Sequence, residues 1–184
     1  MKIIHTRFEG LKIIIPKVLE DARGEFIKTF NSDFFLEHNI SLEIKEIFYS
    51  LSNKDVIRGM HFQTPPHEHT KLIYVAHGKI LDVVLDIRKD SPTYGEFYSI
   101  ELSKENTKIL LIPKGFAHGY KSLQDNTNVT YMQSSCYEPN SDTGIKYDSF
   151  GFEWDLENPI LSKRDLSFID FNSYKTPFKF EQML

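Results

Sequence analysis

The sequence is poor in the features that mark secreted, membrane or nucleic-acid-binding proteins. Its 184 residues include one cysteine, Cys136, which excludes an intramolecular disulfide framework and favours a reducing compartment, the cytoplasm. No apolar run approaches the ~20 residues that cross a bilayer, and no N-terminal segment has the pattern of a secretory signal. The net charge is -4 and the basic residues are dispersed. These absences predict a cytoplasmic protein that binds a small molecule, with neither membrane nor nucleic acid as a partner.

Helical patterns are also scarce, whereas aromatic residues are abundant, with 15 Phe and 9 Tyr. Short β-branched or aromatic runs recur between turn signals, a pattern typical of an all-β sandwich or barrel. The predicted strands are Lys12 to Ile15, Glu25 to Thr29, Ile44 to Ser50, Val56 to Gln63, Lys71 to His77, Lys79 to Arg88, Glu96 to Leu102, Lys108 to Ile112, His118 to Ser122 and Asn128 to Cys136. One short helix is predicted from Ser32 to His38, with Ser32 as its cap. No linker or repeat divides the chain, so one domain is expected over residues 1–184.

Two of these strands carry ionisable residues among apolar ones. Alternation in Lys79 to Arg88 puts Asp82 on a mixed face, which is either a solvent face or a barrel interior where Asp82 orients a neighbouring basic group. Lys71 shares a face with Ile73 and Val75. It is therefore either a cation on an inward face, where desolvation lowers its pKa, or a strand-end lysine that reaches water.

Arg58 and His61 are three residues apart, so a regular strand would direct them to opposite faces. Gly59 between them can hold a β-bulge that turns both side chains to one side, as bulges beside active sites do. A histidine in such a strand is otherwise a hydrogen-bonded core residue. The spacing leaves both interpretations open.

A further histidine, His118, ends the run Pro113-Lys114-Gly115-Phe116-Ala117-His118, which resembles the second sequence motif of cupins, where the histidine can bind a metal. The best metal-ligand set in this chain would be His67, His69 and His118. No glutamate follows His69 at the spacing of the first cupin motif, however, and this argues against a transition-metal site. No bound metal is expected.

Segments spread over most of the chain carry a more specific resemblance. They are Asp21 to Gly24, Val56 to Gln63, Lys71-Leu72, Asp82 to Thr93, Ile112 to Gly119, Tyr131, Tyr137 to Pro139 and Leu161 to Asp165. Together they resemble the dTDP-4-dehydrorhamnose 3,5-epimerase family, metal-independent cupins of nucleotide-sugar biosynthesis. The resemblance implies an all-β fold, a cupin-type β-jelly-roll barrel with a few short peripheral helices.

The resemblance also implies roles for the ionisable residues. His61 would be the general base, oriented by Asp165, and Tyr131 would be the general acid. Lys71 would stabilise an enolate, and Asp82 would support the pocket. The residues expected to bind substrate are Arg23, Phe26, Lys28, Glu46, Phe48, Arg58, Gln63, His118, Tyr137 and Asp142. No cofactor is needed, because a neutral imidazole with a pKa of ~6.5 can remove a proton beside a ketone whose enolate a buried cation stabilises.

Several of the substrate-binding positions depart from the family pattern. Glu46 and Phe48 stand where relatives commonly have Gln and Asn, and Lys28 stands where they have Glu. Glu46 could accept the paired N–H donors of guanine, or it could form a salt bridge to Lys28. Asp142 replaces a common glutamate. The sequence therefore leaves the nucleotide open among dTDP, GDP and CDP.

The function implied by the resemblance is the inversion of C3, C5 or both in a nucleotide-diphospho-4-keto-6-deoxy sugar, a hexose or heptose destined for a surface polysaccharide. Two other functions are weighed against it: a nucleotide-sugar 3,4-ketoisomerase, which Lys71 and the His61–Asp165 pair disfavour, and a non-catalytic sugar-nucleotide-binding cupin. Relatives are homodimers that exchange N-terminal strands. Arg23 and Phe26 are therefore expected to complete the pocket of a second subunit.

Overall fold

A computed structural model describes residues 1–180 of the chain. Short strands are its main regular elements. The strands are β1 (Lys2–His5), β2 (Lys12–Ile15), β3 (Val18–Asp21), β4 (Gly24–Ile27), β5 (Glu46–Ser52), β6 (Ile57–Gln63), β7 (Lys71–His77), β8 (Lys79–Asp86), β9 (Phe97–Ser103), β10 (Ile109–Ile112), β11 (Phe116–Ser122), β12 (Thr127–Gln133) and β13 (Asp142–Gly144). The helices are α1 (Ser32–Glu37) and α2 (Lys163–Leu166), followed by a 3-10 turn at Phe171–Ser173. Within residues 1–180, no helix is long and apolar enough to cross a membrane.

The strands form two main sheets and one separate hairpin. The first sheet has the order β1-β2-β10-β7-β12-β5, and the second has the order β13-β6-β11-β8-β9. The hairpin β3–β4 is a two-stranded sheet of its own. Neighbouring strands pair antiparallel in all three. Ile73 of β7 and Val84 of β8 belong to one core that both main sheets share. The all-β jelly-roll class predicted from the sequence is confirmed.

Further apolar clusters cover the outer faces of the two main sheets. Phe150 and Trp154, from the segment that follows β13, pack with Val83 and Leu85 of β8. On the first sheet, Phe35 of α1 is buried in a cluster with residues of β2, β7, β10 and β12. Because β8 is buried on both faces, the mixed face that contains Asp82 is the barrel interior and not a solvent face.

Every strand predicted from the sequence is present, with small shifts at the ends. The sequence patterns do not predict β1, β3, β13 or α2, which are only three or four residues long. β8 ends at Asp86 rather than at Arg88. The reason is that the Asp86 carboxylate accepts hydrogen bonds from Arg88, Ser91 and Thr93, which folds the following chain into a turn.

The predicted helix cap is wrong by one residue. The side chain of Asn31, and not that of Ser32, accepts the backbone N–H of Phe34, and Ser32 is the first helical residue. Asparagine is as good an N-cap as serine, because its side-chain oxygen can reach the same unpaired N–H groups. The cap therefore falls on the residue whose backbone is extended.

The bulge predicted at Gly59 is present in β6. Arg58 faces Tyr120 and His61 faces His118 across the β6–β11 pairing, so three steps along β6 match two along β11. Gly59 has a φ of 144°, and a Cβ there would lie 2.5 Å from the Cα of Gly119. Such a position accepts glycine only. The bulge lets Arg58 and His61 line the same cavity.

Candidate active site

One cavity of about 390 Å³ opens between the two main sheets. It collects most of the residues predicted to form a site. The predicted residues that line it are Glu46, Phe48, Arg58, His61, Gln63, Lys71, His118, Tyr131, Tyr137 and Asp142. Asp82 and Asp165 lie behind the cavity wall, each hydrogen-bonded to a histidine that faces the cavity.

His61 and Asp165 form a hydrogen-bonded pair on one wall. Nε2 of His61, on β6, is 2.9 Å from Oδ1 of Asp165, on α2. The other carboxylate oxygen accepts the backbone N–H of Gly59 at 3.3 Å. Burial opposes the ionisation of Asp165, but the hydrogen bonds from His61 and from neighbouring donors outweigh it and lower the pKa of the carboxyl. An ionised Asp165 holds the imidazole with Nε2–H as the donor, which leaves Nδ1 unprotonated and able to act as a base.

Lys71 places a positive charge in a nearly dry part of the cavity. It lies on β7 and is only 5% exposed. Burial lowers its pKa to about 8, while the carboxylates of Asp82 and Asp142 act in the opposite direction. The ammonium group is therefore still charged at neutral pH. In such surroundings it can strongly stabilise negative charge that develops on a substrate oxygen.

His118 and Asp82 form a second pair, deeper in the barrel. Nε2 of His118 is 2.8 Å from Oδ2 of Asp82, which is fully buried. Burial lowers the pKa of His118, although Asp82 acts in the opposite direction. Oδ1 of Asp82 has no hydrogen-bond partner among residues 1–180. Asp82 therefore orients a basic group in the barrel interior, as one of the two interpretations of its strand expects.

Tyr131 lies on β12, in the opposite sheet from His61. Its ring stacks on Phe48 with centroids 4.7 Å apart, and the ring of His118 meets it edge-on. Burial raises the pKa of Tyr131 well above its ordinary value. The phenol is therefore a proton donor and not a phenolate at physiological pH.

Polar contacts hold the side chains at the mouth of the cavity. Oε2 of Glu46 accepts the backbone N–H of Tyr137 at 2.8 Å. Oδ2 of Asp142 accepts a hydrogen bond from Nη2 of Arg164 at 2.6 Å. These contacts fix one oxygen of each carboxylate within the protein. They leave both acidic and basic groups at the mouth of the cavity.

Gln63 lines the cavity, but both ends of its amide are engaged within the protein. Nε2 donates to the carbonyl of His67 at 2.8 Å, and Oε1 accepts the backbone N–H of Glu138 at 2.7 Å. Gln63 therefore ties two loops together at the cavity wall. This geometry fits a supporting role better than the predicted contact with substrate.

The structure does not bring Arg23, Phe26 and Lys28 to the cavity of the same chain. Arg23 lies beyond the end of β3, highly exposed and paired with Asp21 at 2.6 Å. Phe26 and Lys28 line a separate groove beside the hairpin. Glu46 and Lys28 of the same chain therefore do not form the alternative salt bridge, and one oxygen of Glu46 bonds the backbone of Tyr137.

Sequence reasoning missed several residues that line the cavity. They include Ser50, His69, Tyr120, Gln133 and Arg164. Arg164 carries a usable signal, since it stands beside Asp165 in a polar cluster. Tyr120 and Ser50 carry none, because they come from different sheets and only the packing of the sheets brings them together.

His69 entered the sequence reasoning only as a metal ligand. In the structure its Nδ1 lies 3.4 Å from both Nε2 of Gln63 and Oγ of Ser135. Burial lowers its pKa to about 2, so the ring is a neutral part of the wall. His67 does not line the cavity, and residues 1–180 contain no group of three His, Cys, Asp or Glu side chains arranged to hold a metal ion.

Comparisons with known proteins agree on one family. A family model for dTDP-4-dehydrorhamnose 3,5-epimerase matches residues 5–173. The dTDP-4-dehydrorhamnose 3,5-epimerase of Shigella flexneri is 38% identical over 170 residues, which cover 91% of this chain and 94% of that protein. The enzyme of the same name from Methanothermobacter thermautotrophicus is 40% identical over 169 residues, covering 89% of this chain and 91% of the relative.

Solved structures extend the likeness to the fold. The crystal structure of dTDP-6-deoxy-D-glucose-3,5-epimerase from Legionella pneumophila, in complex with dTDP-4-keto-L-rhamnose, superposes with a TM-score of 0.93 at 34% identity. The match covers 98% of this chain and 99% of that one. The dTDP-4-dehydrorhamnose 3,5-epimerase of Bacillus anthracis, with TDP and PPi bound, gives a TM-score of 0.89 at 35% identity over 92% of this chain and 98% of the other.

Proposed function

The chain belongs to the dTDP-4-dehydrorhamnose 3,5-epimerase family, isomerases that act on carbohydrates, and on that basis we propose that it inverts C3, C5 or both in a nucleotide-diphospho-4-keto-6-deoxy sugar. One observation carries the proposal. His61 and Tyr131 stand in opposite sheets and line a single cavity that also contains the buried ammonium of Lys71. A base, an acid and a cation around one space are what inversion at a carbon beside a ketone requires.

The first step is removal of a proton from the carbon next to the C4 ketone. Nδ1 of His61 takes this proton, and the C–H electron pair moves into the C–C bond to form an enolate. The Asp165 carboxylate stabilises the imidazolium that results, because it is ionised and hydrogen-bonded at 2.9 Å to the other ring nitrogen. His61 and Asp165 thus act together as the base.

Lys71 stabilises the intermediate. The enolate carries its negative charge on the former ketone oxygen, and the buried ammonium of Lys71 is a positive charge within the cavity that can offset it. Electrostatic stabilisation of this kind is the largest single contribution in many enzymes, typically about 3 kcal/mol for one preorganised donor. His118, whose Nε2 donates to Asp82, lines the same cavity and can accept a hydrogen bond from the sugar at Nδ1.

The second step delivers a proton to the opposite face of the same carbon. Tyr131 donates it, and the electrons of the enolate form the new C–H bond while the ketone is restored. Addition from the face opposite to His61 inverts the centre. The Tyr131 proton must return from water before the next turnover, and the His61 proton must leave to water.

The nucleotide would lie at the mouth of the cavity. Arg58 lines this region and can hold a phosphate, because a guanidinium donates to two phosphate oxygens at once. Phe48 offers a ring for a base or sugar, and Glu46 can accept an N–H of the base through the oxygen that does not bind Tyr137. The names of the relatives favour dTDP, while a carboxylate at position 46 also suits the paired donors of guanine.

We further infer a homodimer. The hairpin β3–β4 stands apart from the main sheets, and its residues Leu19 and Phe26 are exposed apolar side chains. β5 is an edge strand of the first sheet and also exposes apolar residues, among them Ile47 and Tyr49. Two exposed apolar surfaces on one chain fit an exchange in which each hairpin covers the partner's β5. The exchange would carry Arg23 toward the partner's cavity.

Light scattering tests this dimer, with activity measured at the same protein concentration. Arg23→Ala should weaken substrate binding without changing the mass, while Phe26→Asp should lower both the mass and the activity. A fully active monomer would contradict the dimer. The biological setting that we propose is cytoplasmic synthesis of a surface polysaccharide, with residues 1–184 acting as one domain.

The test of the function is solvent exchange. The protein is incubated in D2O with dTDP-, GDP- and CDP-linked 4-keto-6-deoxy sugars, hexoses and heptoses, and deuterium is located by NMR. Deuterium at C3, C5 or both together with an inverted centre supports the epimerase and identifies the nucleotide. A carbonyl that moves from C4 to C3 would indicate the ketoisomerase instead, and tight binding with no exchange would indicate a non-catalytic binder.

A further inference from the structure

A line of hydrogen-bonded hydroxyl groups runs behind Tyr131. Tyr120 is 1% exposed, and its hydroxyl lies 2.8 Å from Oγ of Ser52 and 2.9 Å from Oγ of Ser50. Ser52 in turn accepts a hydrogen bond from Nε of Arg58 at 3.1 Å. Ser50, Tyr120 and Tyr131 line the same cavity. Ser50 of β5 pairs with Val129 of β12, two residues from Tyr131 on the same face of the sheet. The line therefore joins an arginine at the mouth of the cavity to a serine beside Tyr131.

The arginine gives this line a direction. A guanidinium can only donate, whereas each hydroxyl has a single proton and can also accept. Ser52 accepts from Arg58, so its own proton is free to point to Tyr120. In this direction Tyr120 donates to Ser50, which leaves the proton of Ser50 free to reach the neighbouring hydroxyl of Tyr131. With its oxygen acting as an acceptor, Tyr131 can direct its own O–H into the cavity.

We propose that Tyr120 is a positioning residue, which sets the direction of this line so that Tyr131 presents its proton to the substrate. The inference rests on the proposed function, in which Tyr131 is the acid. During the transfer the O–H bond of Tyr131 breaks and a C–H bond forms on the substrate. The negative charge left on the phenol oxygen receives the hydrogen bond of Ser50, and water restores the proton after product release. Tyr120 gives no proton to the substrate.

The buried hydroxyl of Tyr120 argues against a role in core packing alone. The ring belongs to the shared apolar core, where Phe116 and Val129 are neighbours in the same cluster. A phenylalanine would fill that core equally well and would avoid burying a hydroxyl, which is costly unless the group is hydrogen-bonded. The hydroxyl is thus useful for its hydrogen bonds. These lead to Ser50, which lines the cavity with Tyr131, on one side, and through Ser52 to Arg58 on the other.

The test compares Tyr120→Phe with the unmodified protein in D2O, using a 4-keto-6-deoxy sugar nucleotide that the unmodified protein turns over. Two quantities are followed: kcat for the inverted product, and the ratio of deuterium in recovered substrate to deuterium in product. His61 still removes the proton and can return a deuteron to the same face. We expect kcat to fall about 10-fold, part of the ~10²–10⁴-fold that a general acid contributes, with KM changed less than about twofold. The deuterium ratio should rise by a similar factor.

Two further variants make the result specific. Ser52→Ala breaks the line at a buried residue that does not line the cavity. It should therefore raise the deuterium ratio, as Tyr120→Phe does, although Ser52 does not touch the substrate. Tyr98→Phe removes the hydroxyl of another tyrosine that packs on the same core and should leave the ratio unchanged. If Tyr120→Phe does not fold, Ser52→Ala carries the test alone.

An unchanged deuterium ratio in Tyr120→Phe and Ser52→Ala would overturn the inference. So would a fall in exchange and inversion by the same factor, since that is the result of general damage to the fold. Exchange by the unmodified protein is the separate control for the proposed function. If the unmodified protein shows no exchange, the proposed epimerase function is contradicted. Normal exchange with an unchanged deuterium ratio contradicts only the role of Tyr120.

Discussion

The two imidazole–carboxylate pairs of this protein have nearly the same geometry in different surroundings. His61 and Asp165 are 2.9 Å apart, and His118 and Asp82 are 2.8 Å apart. The His61 side chain is 30% exposed, whereas that of His118 is 4% exposed. The Asp165 carboxylate also accepts the backbone N–H of Gly59, while one oxygen of Asp82 has no partner among residues 1–180.

We propose that this difference in exposure gives the two pairs different roles. A base must exchange its proton with water once per turnover, and the more exposed His61 pair is the one suited to that exchange. Burial lowers the pKa of His118, which keeps that ring neutral and suits a fixed hydrogen-bonding group. The same two side chains can thus form a proton-transfer pair or a structural pair, and contact with water decides which.

Replacing the histidine of each pair should give the largest difference in activity between the two pairs. His61→Asn should lower the rate of C–H exchange by about 10³-fold or more, because the base is lost, while nucleotide binding stays near the original level. His118→Asn should lower it only about 10-fold. Exchange in D2O and calorimetric titration with the nucleotide measure the two effects. Equal losses in both variants would show that His61 has no special role as the base.

The second-largest effect is expected when Asp165, the carboxylate of the exposed pair, is replaced. Asp165→Asn keeps a hydrogen-bond acceptor for Nε2 but removes the charge that stabilises the imidazolium. Loss of such a supporting group typically costs about 10- to 100-fold, and we expect a fall of that size in kcat. Steady-state kinetics measures it. Activity that stays within twofold of the unmodified protein would contradict an assisting role for Asp165.

For the free energy of unfolding, we expect the larger loss in the buried pair and the smaller loss in the exposed pair. Asp82→Ala leaves His118 without its partner in a dry interior, and we expect a loss of about 3 kcal/mol in the free energy of unfolding. Asp165→Ala should cost less, about 1 kcal/mol, because His61 can turn to water. Urea unfolding followed by tyrosine and tryptophan fluorescence measures both. A larger loss in Asp165→Ala would reverse the assignment of the structural pair.

The smallest effect is a shift in pH dependence. Above pH about 8, Lys71 loses its proton, so kcat/KM should fall as the pH rises through that value. Asp82 raises the pKa of Lys71, and Asp82→Asn should therefore move this alkaline limb to lower pH. Asp165→Asn should leave the limb in place, because Asp165 is not among the charges that act on Lys71. A pH–rate profile of the three proteins measures the limb, and equal shifts in both variants would contradict this coupling.

Local patterns in the sequence predict much of this arrangement. Alternation in β7 places Lys71 on the face of Ile73, and the glycine between Arg58 and His61 predicts the bulge that brings both to one cavity. The strand pattern alone does not show which face of β8 is inside, because apolar residues occupy both. That question depends on the C-terminal segment, which packs over the second sheet.

Contacts between the sheets lie beyond what such patterns predict. Tyr120 and Ser50 meet only because β11 and β5 belong to sheets that face each other. The roles of Asp165 and Tyr131 came from the family resemblance and not from their local sequence, and they stay predictions until variants are measured. The exposed hairpin with Arg23 shows the limit of a single chain, since its expected contribution lies in a second copy.

The distance along the chain between His61 and Asp165 also bears on how the protein matures. These two residues are 104 positions apart, and the α2 segment that carries Asp165 follows the last strand of the barrel. Contacts of such long sequence separation are slow to form, because closing the intervening chain costs entropy before the contact adds stability. A nascent chain that has reached only residue 160 thus contains every strand and still lacks the carboxylate that pairs with His61. In that chain the proposed base would have no ionised partner until the α2 segment joins the barrel.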